Sequence, residues 1–206
     1  MSRRSSSSRW YRTQSTDPFV RQREQAGLRS RAAFKLQELI DRDRLLRPGH
    51  VVLDLGAAPG GWSQVVAPKL GPAGLLVAVD ILPMDPIAGT VFIQGDATEA
   101  PVVEQVRAAL EGRAADLVIS DMAPNLTGIR SVDEARSVVL AEQVLHFAQN
   151  FLRNGGTMVV KLFQHNDTEL FIREVRGLFA SVSRRKPAAS RSQSREFYLV
   201  ASGFQL

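Results

Sequence analysis

The chain has 206 residues, 44% hydrophobic and 23% charged, which suits one globular domain with a full core. It contains no cysteine and only three scattered histidines, His50, His146 and His165, so disulfides and a cysteine metal site are excluded and no metal is expected. No apolar run approaches the ~20 residues of a membrane span, and "MSRRSSSSRW" lacks the apolar segment of a signal peptide; the expectation is a cytoplasmic protein with no membrane partner.

Residues 1–16 are Ser/Arg-rich and read as a disordered basic tail, leaving 17–206 as a single domain. A helix is expected after Ser30, with Ala32, Ala33, Leu36, Leu39 and Ile40 as its apolar stripe and Lys35 at the stripe's edge. Pro48-Gly49 then leads into a strand over 51–55. Further strands are expected at 75–80, 91–94, 116–121, 157–163 and 196–202, with a weak one near 181–186. Helical stretches fall between them at roughly 62–69, 101–111, 132–152 and 167–179. Alternating strands and helices predict a mostly parallel α/β sheet with helices on both faces.

The first strand opens the stretch "VVLDLGAAPGGWSQ". Loops between a strand and a helix are where such sheets bind nucleotides. A triphosphate loop needs Lys-Ser/Thr after its last glycine, and here Trp62 and Ser63 follow. The dinucleotide fingerprint fails because Ala58 stands where its second glycine belongs. Asp54 at the strand end repels phosphate but suits a cationic ligand, and Gly56 and Gly60 let a ligand approach the backbone. S-adenosylmethionine fits: it carries a sulfonium and an amino acid moiety and no phosphate. Asp80, Asp96 and Asp121 stand at or just beyond other strand ends. Asp80 is placed to hold ribose hydroxyls and Asp96 to accept from an adenine amino group.

The basic charge is unevenly placed. Residues 1–50 carry 12 Lys and Arg against 5 acids, 51–183 carry 9 against 15, and 184–206 carry 5 against 1. Two basic flanks on a mildly acidic centre point to a polyanion partner. Of the basic residues 22 are arginine and four lysine, and one of those four, Lys161, lies inside the apolar strand "MVVKLF". A buried ammonium needs a partner or must give up its charge, and Asp121 on a neighbouring strand is the natural partner.

Together "LRSRAAFKL", "DLGAAPGGWSQ", "DILPMDPI", "QGDAT", "SDMAPN", "VVKLFQ" and "SRSQSREFYLVASG" resemble the FtsJ/RlmE family of ribosomal RNA large-subunit methyltransferases, from about Trp10 to the end. The resemblance implies a class I methyltransferase fold, Rossmann-like, with seven strands and an antiparallel last one. It implies methyl transfer from S-adenosylmethionine to the ribose 2′-hydroxyl of a uridine in the A-loop of 23S rRNA, met within the large (50S) subunit by a monomeric enzyme. The family's Lys-Asp-Lys-Glu tetrad falls on Lys35, Asp121, Lys161 and Glu196. Its cofactor positions fall on Gly60, Trp62, Asp80, Asp96 and Asp121. An antiparallel last strand would bring Glu196 to the edge that carries Asp121 and Lys161. The basic stretch before it would come to the same edge, making Arg184, Arg185, Lys186, Arg191 and Arg195, with Arg29 and Arg31, candidate RNA contacts. Other readings are a transfer-RNA or mRNA-cap ribose methyltransferase, and a non-catalytic RNA-binding assembly factor. "DMAP" lacks the aromatic that base-amino methyltransferases place there.

Overall fold

The computed structural model describes residues 26–125, 127–190 and 194–205. The expected tail over 1–16 and the RNA candidate Arg191 lie outside the described residues.

Helix α1 spans Ala32–Asp43 and buries Ala33, Leu36, Leu39 and Ile40 of the expected stripe, together with Lys35, while Ala32 at its start is only half-buried. It stops where Arg44 turns left-handed at φ 53°. Strand β1, Val51–Leu55, is buried at every position. Helix α2, Gly61–Leu70, starts from Gly60 at φ 97°, a conformation that costs glycine no steric strain. Strands β2, Leu75–Asp80, and β3, Thr90–Gln94, follow, then helix α3, Ala100–Leu110, and strand β4, Ala115–Ser120. The long helix α4, Arg130–Phe151, runs into β5, Leu152–Phe163; helix α5, Asn166–Leu178, leads to β6, Phe179–Arg185, and β7, Glu196–Phe204, completes the sheet.

The seven strands lie in the order β3-β2-β1-β4-β5-β7-β6. Only β7 runs against its neighbours, pairing antiparallel with both β5 and β6. A central strand covered on both faces reads as a continuous apolar run, and β1 and β4 show why. Leu53, Leu55 and Val118 pack beneath α3, α4 and α5. Val52, Leu117 and Ile119 pack on the opposite face beneath α1 and α2.

Strand β5 starts at Leu152, five residues before the expected 157. Its first part, "LRNGG", carries exposed residues and a left-handed Gly155, and its pairing with β4 shifts register between Ala115 and Leu117. Glycines and a register break hide the strand's beginning from a pattern search.

Candidate active site

The C-terminal ends of β1, β2, β4 and β5 meet the start of β7 along one edge. Register fixes the meeting: Lys161 on β5 lies opposite Tyr198 on β7, and Phe163 lies opposite Glu196. Because side chains alternate along a strand, Glu196 and Tyr198 share one face. That face is the one α1 covers, so Lys35 reaches them from above.

The four tetrad candidates converge. Lys161 Nζ is 3.0 Å from Asp121 Oδ1, and Lys35 is ion-paired with Glu196. Both ammonium groups are buried, Lys35 and Lys161 each at 8% exposure, and a buried charge is tolerable only when paired. Burial alone would raise the Glu196 carboxyl. The hydrogen bond and charge of Lys35, with the charge of Lys161 behind them, hold it below the ordinary glutamate range instead.

Tyr198 joins this group, although sequence reasoning passed over it. Its phenol donates to Asp121 Oδ1 at 2.6 Å, and its ring lies 5.8 Å below the Lys35 ammonium and 5.6 Å from the Trp62 ring. Burial first, then the Asp121 carboxylate, pushes the phenol well above its usual pKa, so it stays a donor. In the apolar run "FYLVAS" a tyrosine reads as core. The available signal was its spacing of two from Glu196.

Beside the tetrad lies a cleft of about 960 Å³ lined by Gly56, Ala58, Asp80, Ile81, Leu82, Asp96 and Asp121, and extending between α3 and α4. Its acids are Asp80, Asp96, Glu104, Asp121 and Glu142, and none of its described lining residues is lysine or arginine. Such a wall disfavours phosphates and suits a cationic ligand. Gly56, at φ 71°, closes against Met122: a Cβ there would stand 2.1 Å from Met122 Cγ. Asp80 bridges the cleft's two lips, accepting from Ala58 N and Leu82 N, each at 2.8 Å. Asp96 accepts from the Thr98 amide and hydroxyl, which hold its carboxyl below the ordinary range.

Three expected cofactor residues, Asp54, Gly60 and Trp62, stand behind the residues that line the cleft. Asp54 is 1% exposed and accepts from the Ser63 hydroxyl at 2.6 Å, because its strand is flanked on both sides and its face is covered by α2. Burial, the largest influence, raises its pKa to about 7 against the Ser63 hydrogen bond. The Trp62 side chain is core and donates to the Ala32 carbonyl at 2.9 Å, which leaves only its backbone at the helix start for a ligand. Gly60 serves as the N-cap of α2.

The RNA candidates divide. A second hollow of about 380 Å³ adjoins Glu196 and is lined by Gln164, Arg184, Arg185, Lys186, Ser194 and Arg195. Lys186 there donates to the Ser194 carbonyl at 2.9 Å, and Arg195 faces Glu134 at 3.8 Å. Arg185 grips Asp43 of α1 with Nε and Nη2, and Arg184 pairs with Glu169 of α5. Arg31 donates to the Ala189 carbonyl at 2.7 Å. Arg29 donates to three backbone carbonyls of the cleft's lips. Arg29, Arg31, Arg184 and Arg185 thus hold the chain together, a role that depends on distant partners and is invisible in a local charge count.

Among the described residues no group of three or more His or acidic side chains could hold a metal ion, and no helix is long and apolar enough to cross a membrane.

Residues 28–204 match the sequence model of the FtsJ-like methyltransferase family. The chain is 50% identical over 206 residues to a protein of Marinobacter nauticus named ribosomal RNA large subunit methyltransferase E, covering all of both chains. It is 50% identical over 205 residues to the protein of that name from Hahella chejuensis, again over the whole of both. Among solved structures, a ribosomal RNA methyltransferase from Plasmodium falciparum superposes with a TM-score of 0.78 at 30% identity, covering 85% of this chain and 98% of that one.

Proposed function

The chain belongs to the FtsJ-like methyltransferase family, and from that premise we propose that it transfers a methyl group from S-adenosylmethionine to the ribose 2′-hydroxyl of a uridine in the A-loop of 23S rRNA. The substrate would be met in the large ribosomal subunit, by a cytoplasmic monomer. The observation that carries the reading is the tetrad itself: two buried lysines, each paired with a carboxylate, at the mouth of an acidic cleft. The rRNA substrate is supported by the names of the relatives from Marinobacter and Hahella.

S-adenosylmethionine supplies a methyl group already activated as an electrophile, so the protein need only align and deprotonate the nucleophile. Asp80 would hold the ribose hydroxyls, Asp96 the adenine amino group, and the backbone around Gly56 and Trp62 the amino acid moiety. Asp121 fixes Lys161 at 3.0 Å and is itself oriented by Tyr198. A Lys161 side chain that has given up its proton would accept the 2′-hydroxyl proton on Nζ as the oxygen–carbon bond forms and the methyl–sulfur bond breaks, releasing S-adenosylhomocysteine. The Lys35–Glu196 pair, close enough for the Lys161 charge to act on Glu196, would orient the substrate ribose. Holding oxygen and methyl carbon in line supplies much of the acceleration, and a positioned base adds roughly 10²–10⁴.

The test is transfer of labelled methyl to large subunits from cells lacking the enzyme, with the modified ribose then mapped. Label on one A-loop uridine is expected. Label only on transfer RNA or capped mRNA would replace the substrate, and no label on any RNA would favour a binding role.

A further inference from the structure

Arg29 lies outside both the tetrad and the cleft lining, yet its guanidinium touches both lips of the cleft. Nη1 donates to the Pro59 carbonyl at 3.2 Å and the Asp85 carbonyl at 2.7 Å, and Nη2 donates to the Pro86 carbonyl at 2.9 Å. Pro59 follows Ala58, which lines one side of the cleft. Asp85 and Pro86 belong to the loop after β2, whose first residues, Ile81 and Leu82, line the other side. Three of the five guanidinium donors therefore serve the two lips.

The segment that carries Arg29 is anchored in turn. The Gln64 side chain, on α2, accepts from the Arg29 amide at 3.0 Å and donates to the Gly27 carbonyl at 2.9 Å. The crossing is tight at Gly60. A Cβ there would stand 2.9 Å from Arg29 Nη1, 2.7 Å from Ile87 Cδ1 and 2.8 Å from Met84 Sδ.

We propose that Arg29 is a positioning residue for the cofactor cleft, a clasp that fastens the glycine loop to the loop after β2, and not an RNA phosphate contact. This rests on the reading of the cleft as the S-adenosylmethionine site. The chemistry of the acceptors argues for it: all three are neutral carbonyls pointing from two separate loops. A planar fork with donors on several nitrogens can reach them together, whereas a single ammonium cannot. A guanidinium kept for phosphate would leave its donors open to the RNA, whereas three of these five are taken by the carbonyls.

The experiment compares Arg29→Lys, Arg29→Gln and Gln64→Leu with the parent in three measurements. These are S-adenosylmethionine affinity by calorimetry, affinity for an A-loop RNA over a range of salt, and the KM and kcat of methyl transfer. A cleft held open for most of the time binds in proportion to its competent fraction. Both Arg29 variants should therefore raise the cofactor Kd and KM by about 10–100-fold, with kcat at saturating cofactor and the RNA salt slope within twofold of the parent. Gln64→Leu alters no charge and should shift cofactor affinity in the same direction, deciding the matter even if an Arg29 variant fails to fold. The proposal falls if Arg29→Lys keeps the parent's cofactor affinity. It also falls if Arg29→Gln leaves cofactor binding intact while lowering the RNA salt slope by about one, the mark of a lost phosphate contact. A parent that binds no S-adenosylmethionine would overturn the reading of the cleft and the clasp with it; a parent that binds while Arg29→Lys matches it removes the clasp alone.

Discussion

Tyr198 donates its phenol to the same Asp121 oxygen that faces Lys161, at 2.6 Å from one side and 3.0 Å from the other. One carboxylate oxygen at the end of β4 is therefore gripped by two strands at once, β5 through the lysine and β7 through the tyrosine. Removing the phenol should loosen that grip without removing any charge. Tyr198→Phe should fold, lose about 1–3 kcal/mol in denaturant unfolding for the carboxylate left short of a donor, and turn over more slowly while keeping its cofactor affinity. Unchanged stability would mean that water replaces the phenol at no cost.

Lys161→Arg preserves the cation but cannot give up its proton at any working pH. Single-turnover transfer at saturating cofactor should fall by ~10²–10⁴ in this variant, with cofactor and RNA affinity retained. Rates near the parent's would leave Lys161 an orienting role only. Since the ammonium is buried and the guanidinium is larger, the melting temperature should be read on the same samples.

The buried Asp54 carboxyl gives a stability signature with a definite sign. Its folded pKa, raised by burial to about 7, lies above its unfolded value near 4, so the folded state binds the extra proton between those limits. Its contribution therefore falls as pH rises from about 4 to about 7, reaching a loss on the order of a few kcal/mol above that. Asp54→Asn keeps an acceptor for Ser63 and cannot ionise. The difference in unfolding free energy between variant and parent should be small at pH 5 and should grow in the variant's favour by pH 8. A difference that does not change with pH would mean that Asp54 ionises normally in the folded protein.

Arg185, a candidate RNA contact, also holds Asp43, and the two roles are separable. Arg185→Ala should cost about 1–3 kcal/mol of stability, between an exposed and a buried ion pair, and leave the salt slope of RNA binding unchanged. Lys186→Ala, beside Glu196 in the basic hollow, should lower that slope by roughly one at little cost in stability. The reverse pattern would return Arg185 to the RNA surface.

Asp80→Ala should weaken S-adenosylmethionine binding by a few-fold to a hundredfold, because it removes a candidate ligand and frees the Ala58 and Leu82 amides it now binds. Calorimetric titration checks this, and an unchanged Kd would remove Asp80 from the site.

The strands and helices were legible because each central strand is an unbroken apolar run punctuated by glycine, proline or an acid; β1 and β2 match their expected bounds residue for residue. The tetrad was legible through resemblance for all four members, and from the residues alone for Lys161, the charge in an apolar strand. What stayed hidden depends on packing between distant segments. Asp54 looked like a ligand acid because nothing local reveals that α2 seals it with Ser63. Arg184 and Arg185 looked like a free basic patch because Glu169 and Asp43, their partners, lie far away in sequence.

The register of β7 sets which edits this chain can tolerate. Glu196 and Tyr198 reach the edge that carries Asp121 and Lys161 because Phe163 stands opposite the first and Lys161 opposite the second. Slipping the strand by one residue would turn both side chains to the far face of the sheet, and Phe197 would meet Asp121 in their place. Length changes before Glu196 alter only the approach to the strand, whereas a single residue inserted between Glu196 and Tyr198 would part them. A scan of one-residue insertions across 186–204 should thus show activity ending abruptly at the first residue of β7.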